Sequence, residues 1–172
     1  MYVTFYTQSP MANPFDDDTL RMRSLLLTAH RAFTEKISKH CEALERQTSA
    51  LADISVPLTV QMENVQKTTY QRKTQGELAR ARNVFGFISE VPLTGFGAYL
   101  HEKRKAIAQA HQDALLELNE AALRLVNSPS EGPGRDRAVQ GIVNQAGVVE
   151  AHRFMLEQFD THFASVVKAL TE

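Results

Sequence analysis

The sequence predicts an all-α protein, an elongated four-helix bundle that is antiparallel and coiled-coil-like, with an extended N-terminal arm. Apolar residues return every three or four positions along four long segments, the spacing of amphipathic helices. Eight Gly and six Pro in 172 residues are few for an all-β chain, which needs many tight turns. Apolar residues at 43% and charged residues at 23% are ordinary globular usage, and the length suits one domain, residues 16–172, with chain enough for a core.

Residues 1–15 read as the arm. Tyr2 to Tyr6 carry β propensity, but a lone strand has nothing to pair with; Phe5 and Phe15 are expected to lay the arm on the bundle. Met11-Ala-Asn-Pro-Phe reads like a natural start, with residues 1–10 as an upstream extension. Asp16, Asp17, Asp18 and Thr19 can cap free N–H groups and complement the positive end of a helix dipole. They open a first helix at about 18–54, with Leu26, Ala29, Phe33, Ile37, Cys41, Leu44 and Leu51 on its stripe. No Gly or Pro interrupts residues 19–53, so at 1.5 Å per residue the helix spans roughly 50 Å. Val56-Pro57 ends or kinks it, because the residue before Pro disfavours the α region.

Pro57 suits the first turn of a second helix, about 57–84. Leu58, Met62, Val65 and Ala79 are its apolar side, diluted by Thr69, Arg72 and Gly76; this is the weakest of the four stripes. Residues 84–100, with three glycines, a proline and four aromatics, read as a hydrophobic corner. A third helix at about 98–127 places Leu100, Ile107, Ala114, Leu118, Ala121 and Leu125 at heptad-like spacing, with Arg104 and His111 at the intervening seam positions. Residues 127–134 (Asn-Ser-Pro-Ser-Glu-Gly-Pro-Gly) are the clearest loop. A fourth helix, about 136–171, carries Ile142, Ala146, Val149, Leu156, Phe159, Phe163, Val167 and Leu170, and is expected to be the best-packed element. The match between residues 54–59 and 88–94 has unlike flanks, so it reads as two Pro-marked junctions rather than a repeat.

Catalytic chemistry finds little support. The six histidines form pairs ten residues apart: His30/His40, His101/His111 and His152/His162. Ten residues leave two side chains about 80° apart and ~15 Å along the axis, too far for one metal. None has an acidic residue three positions before it, the spacing that bundle metal sites use. Cys41 sits on an apolar stripe and reads as a structural thiol. No Gly-x-Ser-x-Gly, Walker-type or Gly-x-Gly-x-x-Gly sequence occurs. We therefore expect no enzyme activity, no catalytic or metal residues and no cofactor.

A net charge of −1 gives no global drive towards nucleic acid or anionic membrane. Residues 67–105 hold eight basic residues against three acidic ones, but Lys67, Arg72, Lys73, Arg80 and Arg82 point around most of a helical circle, which argues against a nucleic-acid site. A single cysteine and no signal-like or membrane-length apolar run make a cytoplasmic location the expectation.

The expected working surface is the corner: Phe85, Phe87, Leu93, Phe96 and Tyr99, flanked by Arg80, Arg82, Lys103, Arg104 and Lys105. Aromatics beside cations suit docking on a partner or dipping into a lipid or polymer surface; capping one end of the core is the alternative. The first expectation is a protein interaction module, an adaptor, chaperone or assembly component, binding a protein partner or itself, since incomplete stripes await company. The second is a surface-coating protein. The break before Arg135, then Ala138-Val-x-x-Ile-Val143 and a long helix, resembles phasins over about 40 residues. That resemblance implies an amphipathic coat on a polyester granule or a membrane surface.

Overall fold

A computed structural model describes residues 17–53, 55–84 and 96–171, and every regular element among them is an α-helix. These are α1 (Asp17–Ala50), α2 (Leu58–Val84), α3 (Phe96–Val126) and α4 (Pro133–Thr171). The expected arm, residues 1–15, lies outside the described residues.

Helix ends follow local chemistry. α1 stops four residues short of expectation: Leu51 N–H donates to the carbonyls of Gln47 and Thr48, both at 3.2 Å. The Asp53 carboxylate then accepts Ser55 N–H at 2.9 Å and the Ser55 hydroxyl at 2.7 Å. This local turn competes with further helix. Gln61 Nε2 donates to Val56 O at 2.9 Å, and Gln61 N–H to Pro57 O at 3.0 Å, which closes the first turn of α2. α4 starts three residues earlier than expected, because Pro133 suits a first helical position. Gly132 before it takes φ +94°, a conformation that favours glycine. Arg135 Nη1 reaches back to Leu125 O at 3.1 Å and satisfies a carbonyl at the end of α3.

The helices form a bundle with unequal roles. α4 packs on α1, α2 and α3, and α1 packs on α2; among the described residues the α3 backbone approaches α4 alone. The aromatic centre joins α1 to α4. The Phe33 ring meets Phe159 edge-on at 6.3 Å and Phe163 at 5.7 Å, and the latter two stack at 4.7 Å. Leu26, Ala29, Ile37 and Leu44 continue the buried α1 stripe, and Cys41 packs against it half-buried. On α3, Leu100, Ile107, Ala114 and Ala121, each seven residues on, are buried. At Ala114 a side chain of α4 comes close: Gln145 Nε2 donates to Ala114 O at 3.1 Å.

α2 departs from expectation in rotation. Its anticipated apolar residues Leu58, Met62 and Val65 are exposed, and Ala79 is half-buried. Among its described side chains the buried ones are Asn64, Thr74 and Leu78, and Leu78 joins the apolar core. Gly147 of α4 explains the rotation. A Cβ there would lie 2.8 Å from Tyr70 O and 2.9 Å from Lys73 Cβ, so the α2 backbone seats directly on the glycine. The Thr74 hydroxyl at this crossing is 3.0 Å from Tyr70 O and 3.1 Å from Gly147 O.

Candidate functional site

α2 is dressed in reverse. Its inward stripe runs Gln61, Asn64, Thr68, Gln71, Thr74 and Leu78, mostly polar. The neighbouring stripe, one residue and so about 100° around the helix, holds Leu58 (71% exposed), Met62 (64%) and Val65 (62%). Three of the inward polar groups are paired: Gln61 to Val56 O, Thr74 to the carbonyls of Tyr70 and Gly147, and Gln71 across to α1. The Thr48 hydroxyl donates to Gln71 Oε1 at 3.0 Å, and Gln71 Nε2 donates to Gln47 Oε1 at 3.2 Å, joining α1 to α2. A buried polar group without such a partner carries a desolvation cost.

α3 carries a second outward apolar set, Leu116, Leu123 and Val126, all exposed. Residues 116 and 123 repeat at seven but lie about 200° from the buried heptad. That spacing was readable in the sequence, where the inward heptad masked it. On α1, Leu20, Leu25 and Leu27 are exposed, and Leu20 and Leu27 line a shallow groove with Arg23, Ser24, Thr28 and Arg31.

Of the sequence-predicted corner, Phe85, Phe87 and Leu93 lie outside the described residues. Phe96 opens α3, and Arg82 belongs to α2 by its backbone. Tyr99 is half-buried against the core, and burial raises its phenol above the ordinary value. Lys103 Nζ stands 5.4 Å from the Tyr99 ring centroid, a cation–π contact. Arg104 forks onto Asp160 of α4 at 2.7 and 3.0 Å. Arg80 pairs with Glu77 at 3.1 Å, and Lys105 is exposed. Tyr99, Lys103 and Arg104 are thus tied to the bundle itself.

A polar node joins α1, α2 and α4. His40 stacks on Phe154, with ring centroids 4.1 Å apart, and burial holds its imidazole below the usual range. Arg153 bonds both oxygens of Glu150, which holds that carboxyl below its ordinary value, and also bonds Glu157. Burial raises the Tyr70 phenol nearby, and Glu150 adds to the shift. Between Glu150 and Arg153 on α4, His152 feels Glu77 of α2 and His111 of α3. His152 Nδ1 and His162 Nε2 are buried without a hydrogen-bond partner among the described residues. Among those residues, no group of three or more His, Cys, Asp or Glu stands close enough to hold a metal ion.

A cleft of about 350 Å³ lies between the end of α1, the turn after it and α2, lined by Thr48, Leu51, Asp53, Asn64, Val65 and Arg72 among others. The sequence does not show it, because it depends on how Leu51, Ala52 and Asp53 lie against α2. Among the described residues, no helix is long and apolar enough to cross a membrane. No family model, no curated protein and no solved structure matches the chain.

Proposed function

We propose that the chain is a non-enzymatic interaction module, an adaptor, chaperone or assembly component, which docks a protein helix, a second copy of the chain included, on the outward face of α2. The observation that carries this is the reversed dressing of α2, with Leu58, Met62 and Val65 in water while Asn64 and Thr74 are buried. Covering apolar surface contributes about 25 cal/mol per Å², and a partner helix with an apolar stripe is the ordinary way to cover such a face. We read the bundle as antiparallel and coiled-coil-like, a reading supported by the pairings Phe33–Phe159, Thr48–Gln71, Arg104–Asp160 and Ala114–Gln145. On that reading, Leu58 and Met62 share an end of the molecule with Leu123 and Val126. The module needs no cofactor, and a cytoplasmic setting suits a lone thiol.

The test is light scattering across a concentration series, with photo-crosslinking from position 62. The expected result is a mass above monomer, or a crosslinked protein, that Met62→Glu with Val65→Glu abolishes without loss of helix by circular dichroism. A monomer at every concentration, with no crosslink, would end this reading.

A second reading, a phasin-like coat on a lipid or polymer granule, is favoured by the outward leucines of α1 set beside Arg23 and Arg31. Cations flanking apolar residues suit an interfacial helix. The test is co-sedimentation with anionic vesicles and hydrophobic particles. Binding that survives Phe85→Ser, Phe87→Ser and Phe96→Ser together would take the 84–100 corner out of this account.

A further inference from the structure

We infer that the cleft between α1 and α2 binds an extended peptide segment through the carboxamide of Asn64; this deepens the interaction-module reading and rests on it. Asn64 is 9% exposed and lines the cleft. Its carboxamide makes no hydrogen bond to any described residue, yet its atoms are not sealed from solvent. The opening available to them is the cleft. A carboxamide offers two donors and an acceptor, and at the cleft these face an opening where a ligand amide can replace water on them.

The lining selects the ligand class. Leu51, Ala52 and Val65 supply an apolar wall, and Thr68 and Gln61 supply polar edges. Among the described residues no aromatic side chain lines the space, which disfavours a base or a sugar ring, since both bind by stacking on aromatics. One carboxylate, Asp53, is already engaged by Ser55, too thin a donor set for a divalent cation. Arg72 lines the cleft and makes no ion pair with a described residue. An amide, an apolar side chain and a carboxylate together describe a peptide that ends in a free carboxyl or carries an acidic side chain. The volume lies within the range of small-ligand sites.

The experiment is a ¹H–¹⁵N NMR titration of the full chain with the peptide acetyl-Ala-Leu-Ala, as free acid and as C-terminal amide. Wild type is expected to shift the Asn64 side-chain amide and the backbone signals of residues 65 and 68. Asn64→Leu should weaken both peptides about tenfold, the scale of one lost buried hydrogen-bonded pair. Arg72→Gln, a change at an exposed position, should weaken only the free acid. Absence of shifts with wild type, or equal binding by Asn64→Leu, overturns the proposal. If Asn64→Leu fails to fold, equal binding of the two peptides by wild type and Arg72→Gln overturns the carboxylate assignment. Met62 does not line the cleft, so peptide binding retained by Met62→Glu in a chain that never associates would separate this proposal from the failure of the module reading.

Discussion

The Thr74 hydroxyl stands 3.1 Å from the Gly147 carbonyl oxygen, at a glycine whose added Cβ would strike the backbone of a neighbouring helix. That contact sets the rotation of α2 on α4. Gly147→Ala should therefore push the helices apart and destabilise the fold by about 1–3 kcal/mol, the scale of overpacking. Gly141→Ala, with open space at its Cβ, should be neutral or slightly stabilising through helix propensity. Urea unfolding of both variants checks this, and equal midpoints would refute it.

Phe33 is fully buried between Phe159 and Phe163. Phe33→Ala should cost about 3–5 kcal/mol through lost burial and the cavity left behind. Leu116→Ala, at an exposed position, should stay within about 0.5 kcal/mol. Thermal melts read the contrast, and a large loss in the α3 variant would place Leu116 in a contact that the bundle does not contain.

Acid should loosen the bundle through its histidines. Burial holds the His152 imidazole below its ordinary 6.5; Glu77 opposes the shift and His111 adds to it. Burial likewise lowers His40. The folded state then binds fewer protons than the unfolded state, so this contribution is complete above pH 6.5 and is lost as pH falls through and below it. The lowered Glu150 carboxyl contributes above its ordinary 4.5, in a lower window. Urea midpoints should drop from pH 7.5 to pH 5.5, and His152→Gln should flatten the slope. A midpoint that rises on acidification would contradict the burial of these rings.

The Arg104–Asp160 fork joins α3 to α4, but both side chains are about half exposed, 50% and 47%. Asp160→Asn should cost about 0–1 kcal/mol, and less at high salt. A double-mutant cycle with Arg104→Gln measures the pair, and a coupling well above that range would show that α3 depends on it.

The sequence by itself determined that there are helices, and roughly where each lies. Local signals carry that information: aspartates at the start of α1, Val56-Pro57 at its end, the Pro/Gly run before α4, and apolar residues at helical spacing. It also determined the inward faces of α1 and α3, where one stripe is clearly richer than any other and burial must take it. Only the tertiary structure decided the rotation of α2. Its apolar and polar stripes are nearly balanced, so a glycine 73 positions from Thr74 and a hydrogen-bond ladder from Thr48 and Gln47 outweigh the small hydrophobic preference. The outward face of Leu58, Met62 and Val65 and the cleft around Asn64 follow from that rotation, and contacts between distant segments leave no periodic trace in the chain.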